Sequence, residues 1–237
     1  MIIDVITGFP AIVNAPLNES IIKRAVHSKV VDIRVHDIRR WTADKHHTID
    51  DTPYGGGAGM VFKVEPLYRC LDDIAHPGAD KTRILLTSPR GKVLNQSYAT
   101  KLSLEEHIIL ICTRYKGVDE RIKKFFPIEE ISIGDFVITG GELAALVIID
   151  SIVRLLPGAI SDIDSAWSDS FSDGLLDCNY YTRPEEFRGE EVPSVLLSGD
   201  HKKINSWRQQ ERETITKKNR PDLYENYLRE IKNKTGD

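Results

Sequence analysis

Ile131-Ser132-Ile133-Gly134-Asp135-Phe136-Val137-Ile138-Thr139-Gly140-Gly141-Glu142 decides the fold class. Its apolar, β-branched first part predicts a strand over Ile131–Ile138. Thr139-Gly140-Gly141 then leads into a helix predicted over Glu142–Leu156, which Pro157-Gly158 stops. The same alternation repeats upstream. Strands are predicted over Ile2–Thr7, Val30–Val35, Arg83–Thr87 and His107–Thr113. Helices are predicted over Leu17–His27, Pro66–Ala75, Gln96–Leu102 and Asp119–Phe126. Such alternation implies an α/β domain on a largely parallel sheet.

Downstream the texture changes. Ser161–Asp173 is rich in Ser and Asp and carries no base, so it reads as a flexible linker: it has too little apolar surface to offset its ordering entropy. Beyond it, Gly199–Lys218 and Pro221–Lys234 read as helices, the second with Leu223, Tyr224, Tyr227, Leu228 and Ile231 on one face. The organisation expected is residues 1–160 as an α/β domain, 161–174 as linker and 175–237 as a small helical domain.

At 237 residues, with 41% hydrophobic and 29% charged, the chain is globular rather than disordered or fibrous. Cys70, Cys112 and Cys178 are far apart and form no C-x-x-C pair, which argues for free thiols in a reducing compartment and against a zinc ribbon. The N-terminus has no basic n-region, and the apolar run Leu143–Ile149 ends at Asp150, too short for a bilayer. A cytoplasmic protein with no membrane partner is expected. The formal net charge of −4 excludes a global basic field. Lys23–His47 and Ser198–Arg220, however, each hold seven Lys or Arg against three Asp or Glu. The two segments are either solvated faces or a grip on a phosphate backbone.

Four stretches break local structural rules, where function tends to sit. Asp50–Met60 contains Gly55-Gly56-Gly57-Ala58-Gly59, which matches no nucleotide-phosphate motif. Leu86-Thr87-Ser88-Pro89-Arg90-Gly91, Cys112–Arg121 and Ile133–Glu142 each follow or end a predicted strand. In parallel sheets, ligands bind outside the carboxyl ends of strands, so these three loops are either a small-molecule pocket or ordinary turns. Arg154 on an apolar helix is either salt-bridged or a site residue, and Asp169 in the linker either solubilises the chain or reacts.

Taken in order, Asp50–Met60, Cys112–Arg121, Ile131–Glu142, Arg154–Gly158, Ser170-Phe171 with Gly174–Asp177, Tyr181–Pro184, and Val195–Gly199 with His201 and Trp207-Arg208 resemble the bacterial tRNA (guanine-N1)-methyltransferase family. The resemblance covers nearly the whole chain. It implies a trefoil-knotted parallel-sheet methyltransferase domain, a homodimer with its active site at the interface, and S-adenosyl-L-methionine as donor. The implied target is guanosine 37 of tRNA, beside the anticodon. Nothing in the periodicity shows a knot, and true knots are rare enough that topology rules alone would exclude one.

Carried over by position, the resemblance gives the cofactor Leu86, Thr87, Ser88 and Pro89, then Thr113 and Tyr115. A third cofactor group is Ile133, Gly134, Asp135, Phe136, Val137 and Ile138 with Gly140 and Gly141. Asp169 would be the general base on N1 and Arg154 the partner of guanine O6. Asp50, Gly59, Ser170, Gly199, His201 and Arg208 would meet the RNA, with Lys202, Lys203 and Arg212 adding charge.

The chain departs from the family pattern at Thr113, where Gly is usual, and at Arg90 and Asn179 in place of Gln and Pro. Lys116 replaces a Glu, a base for an acid, at the place where the family's Mg2+ dependence would be rooted. A non-catalytic RNA-binding protein on the same scaffold is the competing reading, and a retained Asp169 and Arg154 argue against it. A phosphate-binding α/β enzyme would need a phosphate motif that is absent.

Overall fold

The computed structural model describes residues 1–75, 82–160 and 169–235, with the chain dividing into two compact units, Met1–Ile163 and Asp164–Asp237. In chain order the first unit runs β1 (Ile2–Thr7), α1 (Pro10–Leu17), α2 (Ser20–His27), β2 (Asp32–Asp37), β3 (Asp50–Asp51), β4 (Val61–Phe62) and α3 (Val64–Ile74). It continues through β5 (Thr82–Val93), α4 (Gln96–Leu102), β6 (His107–Ile111), β7 (Ile128–Ser132) and α5 (Gly141–Val153). Five strands form one parallel sheet in the order β2-β1-β6-β5-β7, while β3 and β4 pair antiparallel beside it.

Both faces of the sheet are covered, as near-continuous apolar strands require. One core packs Ile3, Val5, Ile108 and Leu110 against Ile148, Ile149 and Ile152 of α5. The other packs Ile6, Ile109 and Ile111 against Leu67, Cys70 and Leu71 of α3. Side chains alternate faces along each strand, so one strand feeds both cores. Asp4 is the buried charge in this sheet. Its carboxylate bridges His36 Nε2 and His107 Nε2, each at 2.6 Å. Burial opposes its ionisation, but the two histidines outweigh that and hold its pKa below the usual range.

Several element limits differ from the expectations above, for local reasons. The strand expected over Ile131–Ile138 begins earlier and stops at Ser132. The Ser132 hydroxyl accepts from Gly134 N (3.1 Å) and donates to Gly134 O (3.0 Å), drawing the backbone off the ladder. The helix expected over Leu17–His27 begins only at Ser20, which has φ +53°, as α2, and a separate unexpected helix, α1, ends at Leu17. The helix expected over Asp119–Phe126 is a 3-10 turn, Glu120–Lys124, with the Asp119 side chain accepting from Arg121 N. Strand β2 lies two residues beyond the Val30–Val35 expected, because its parallel register with β1 pairs Ile2 with Asp32.

The second unit contains a two-stranded hairpin, Glu186–Phe187 with Glu190–Glu191, and helices Ser194–Leu197, His201–Asn219 and Pro221–Thr235. Asp200 caps the long helix by accepting from Lys202 N and Lys203 N. Of the expected linker, 161–168 lie outside the described residues. Asp169–Gly174 is a turn whose Asp173 carboxylate meets Arg212 at 2.5 and 2.8 Å. Leu176 N donates to the buried Thr216 hydroxyl at 2.9 Å, fixing the next stretch to the same helix. Among the described residues, no helix is long and apolar enough to cross a membrane.

Candidate functional site

Three loops meet at the carboxyl edge of the sheet. The first comes from β5, whose ladder with β7 slips: Thr87 and Lys92 both face Ile131, so Ser88–Gly91 bulges out. A Cβ on Gly91 would lie 2.3 Å from Ile131 N and 2.4 Å from Glu130 C, so only glycine fits this crossing. The second loop, Thr113–Val118, follows β6. The third, Ile133–Gly140, links β7 to α5 and is tied to the second by Gly141 N donating to Thr113 O at 2.8 Å. A Cβ on Gly141 would meet Thr87 Oγ1 at 2.0 Å and Cys112 Cα at 3.0 Å, so all three loops press together here.

The loops enclose a cavity of about 290 Å³. Every residue expected at the cofactor lines it except Asp135: Leu86, Thr87, Ser88, Pro89, Thr113, Tyr115, Ile133, Gly134, Phe136, Val137, Ile138, Gly140 and Gly141 are all there. Aliphatic side chains alternate in its lining with small and glycine residues, which suits a flat ligand that the backbone can approach closely. Cys112 is fully buried behind the wall, and burial raises its thiol pKa well above the ordinary value. It stays a neutral packing residue.

Charge at the cavity is arranged in pairs. Glu142, 2% exposed in the first turn of α5, accepts from Thr7 Oγ1 at 2.9 Å and faces Arg114 Nε at 3.5 Å. The Arg114 guanidinium also lies 3.8 Å from the centre of the Phe9 ring. On another side, Arg90 pairs with Glu120 (2.7 Å) and Glu130 (3.0 Å), and Lys123 meets both acids. Lys123 and Arg90 together hold the Glu120 pKa below its usual value. Lys116 carries its backbone N to Met60 O at 3.0 Å, which ties the second loop to the glycine-rich stretch. Its side chain runs over Gly59, where a Cβ would come within 3.1 Å of Lys116 Cγ.

The remaining expected residues are distributed over both units. Asp50 pairs with Phe62 at the stem of the glycine-rich loop, and Phe62 N donates to Gly117 O at 2.9 Å, so Asp50 and Gly59 belong to the cavity side of the first unit. Arg154 caps the C-terminus of α5, half-buried after Ile152 and Val153. Asp169 and Ser170 are in the second unit, where the Ser170 hydroxyl accepts from Asp177 N at 2.9 Å. Gly199 precedes the long helix that His201 begins and that carries the exposed Arg208.

A family model described as tRNA (Guanine-1)-methyltransferase TrmD matches residues 1–226. The chain belongs to that family. It is 51% identical over 222 residues to the tRNA (guanine-N(1)-)-methyltransferase of Geobacter metallireducens, covering 94% of this chain and 90% of that protein. The protein of the same name from Geotalea uraniireducens is 51% identical over 220 residues, covering 93% and 89%. That of Dehalococcoides mccartyi is 48% identical over 225 residues, covering 95% and 91%. As a tRNA (guanine-N1)-methyltransferase, the chain transfers a methyl group to guanine N1, with tRNA as its substrate.

Within this methyltransferase, sequence reasoning missed that Arg114, which lines the cavity, faces the buried Glu142. One signal was available. A Glu directly after Gly-Gly and directly before Leu-Ala-Ala-Leu-Val-Ile-Ile sits in the first turn of an otherwise apolar helix, where a lone carboxylate requires a partner.

Proposed function

We propose that S-adenosyl-L-methionine is the methyl donor, held in the three-loop cavity, and that the acceptor is guanosine 37 of tRNA. The observation that carries this reading is the convergence of Leu86–Pro89, Thr113–Tyr115 and Ile133–Gly141 on one cavity at the sheet's carboxyl edge. The cavity fits the cofactor. Leu86, Pro89, Ile133 and Ile138 would enclose its adenine, and the loop backbones would hydrogen-bond the ring edge. When bound, it supplies an electrophilic methyl group on a sulfonium.

Neutral guanine N1 is a poor nucleophile, and a carboxylate falls about five pKa units short of deprotonating it, roughly 7 kcal/mol. In this proposal Asp169 removes the N1 proton while Arg154 hydrogen-bonds O6, where negative charge gathers. The cation at O6 narrows the gap, and positioning N1 for in-line attack contributes the rest. The basic face of the second unit, with His201, Lys202, Lys203 and Arg208, would hold the anticodon arm, and Asp50, Gly59, Ser170 and Gly199 would approach the RNA backbone.

Magnesium does not fit the acids beside the cavity. Glu120 and Glu130 are paired with Arg90 and Lys123, Glu142 with Arg114, and Lys116 is itself a cation. Among the described residues, no group of three or more His, Cys, Asp and Glu side chains is placed to hold a metal ion.

The same reading makes the first unit a trefoil knot, which the close crossings at Gly91 and Gly141 support. It also makes the molecule a cytoplasmic homodimer. Val137 is 84% exposed, Leu143 53% and Val147 48%, an apolar set next to the cavity that water covers poorly. The test is methyl transfer from labelled S-adenosyl-L-methionine to two tRNA transcripts, one with guanosines at positions 36 and 37, one with adenosine at 37. Incorporation only into the first, mapped to N1, is expected. Binding of both without incorporation would replace this reading with a non-catalytic RNA binder, and label elsewhere in the tRNA would move the target.

A further inference from the structure

The second unit contains a cavity that the proposed chemistry leaves unused. Of about 510 Å³, it lies between Asn179–Glu185 and the helices Ser194–Leu197 and His201–Asn219. Its floor is apolar, made by Val192, Leu196 and Ile204. Tyr181 lines it; it is 47% exposed, and its ring lies 6.3 Å from the Trp207 ring, tilted by 57°. Arg183 and Arg208 also line it, both exposed. Among the described residues, no carboxylate forms an ion pair with either guanidinium, and Glu185 is the single acid in the lining. The neighbouring Tyr180 is held in place, its hydroxyl donating to Asp177 Oδ2 at 3.0 Å.

Apolar lining, an exposed aromatic ring and two exposed guanidinium groups without an ion pair among the described residues select a flat ring attached to an anion. A nucleobase with its phosphate has that chemistry: bases out of the stack bind on aromatic side chains, and Arg pairs with the phosphate. An apolar peptide side chain would use the floor but not the two cations. We infer that this pocket takes one unstacked nucleotide of the tRNA, its base on Tyr181 and its phosphate between Arg183 and Arg208. The inference rests on the reading of the second unit as the tRNA-holding part of the molecule. It adds a second point of contact that anchors the RNA by a base rather than by charge alone.

The test compares the full-length wild type with Tyr181→Ala, Tyr181→Phe and Arg183→Gln, measuring tRNA affinity across a salt series and S-adenosyl-L-methionine affinity by calorimetry. Loss of one base stack predicts tRNA binding weakened about 5- to 150-fold in Tyr181→Ala. Tyr181→Phe should bind as the wild type does, and cofactor affinity should be unchanged in all three. Arg183→Gln should lower the slope of log affinity against log salt by about 0.7–0.9, one phosphate contact. Wild-type tRNA affinity in Tyr181→Ala overturns the inference, and so does equal weakening in Tyr181→Phe. If circular dichroism shows Tyr181→Ala to be misfolded, the Arg183→Gln slope decides, and a wild-type slope overturns the inference. Failure of the wild type to bind tRNA would instead remove the underlying reading.

Discussion

Gly91→Ala should damage both the fold and the cofactor cavity by a predictable amount. The added methyl would lie 2.3 Å from Ile131 N, 2.4 Å from Glu130 C and 2.6 Å from Ile131 C. All three are main-chain atoms of the neighbouring strand, so no side chain can rotate away and the two strands must separate. Overpacking of this kind costs about 1–3 kcal/mol, and a purely backbone clash belongs at the upper end. For a chain of this size, about 3 kcal/mol lowers Tm by roughly 6–12 °C. Strand separation also displaces the Ser88–Gly91 bulge, so cofactor affinity should fall with stability. Gly57→Ala provides the comparison. It too adds a methyl group, but no atom lies within 4 Å of the new Cβ, and its φ of +106° confines the strain to an exposed loop. Calorimetric melting and cofactor titration of both variants form the assay. A Gly91→Ala protein with wild-type Tm and wild-type cofactor affinity would refute the claim that this crossing builds the cavity wall.

Three further outcomes follow from particular contacts. Arg114→Ala removes the cation facing the buried Glu142 and leaves it the Thr7 hydroxyl, and breaking a buried ion pair costs up to about 3–5 kcal/mol, a loss that chemical denaturation at pH 7 would show. Arg212 outweighs the partial desolvation of Asp173 and holds its carboxyl below the ordinary pKa, so the folded-state pKa lies below the unfolded one. Its contribution is therefore present above about pH 4 and is lost as pH falls through the depressed value. Asp173→Asn should be less stable than the wild type at pH 7, and the difference should shrink on acidification. Asp169→Ala should bind tRNA normally yet lose methyl transfer in single-turnover assays. Preserved turnover would eliminate Asp169 as the base.

Much of the first unit could be read from its residues because period and punctuation agreed. Ile2–Thr7 and Gln96–Leu102 have the limits expected of them, and in the structure Asn95 caps the helix by accepting from Tyr98 N. The errors came from interactions that local pattern does not encode. Ser132 ends its strand early through a side-chain bond to Gly134, although Ile133, Val137 and Ile138 continue the apolar pattern. The register slip between Thr87 and Lys92, which makes the bulge into the cavity, arises from pairing with a strand about forty residues later in the chain. At the candidate site, the glycines showed that loops must come close but not which atoms they meet. Thr87 Oγ1 against Gly141, and Arg114 against Glu142, are long-range contacts visible only once the sheet is assembled. The apolar run Phe136–Ile138 reads as strand yet forms an exposed loop for the same reason: hydrophobicity identifies what avoids water, not what covers it.

If the three-loop cavity is the methyl-donor site, backbone hydrogen exchange will differ with and without S-adenosyl-L-methionine at its three loops. Protection on adding the cofactor should appear in the backbone of residues 86–91, 113–118 and 133–141, while the helix His201–Asn219 exchanges as before. Protection elsewhere, with these three loops unchanged, would contradict the assignment.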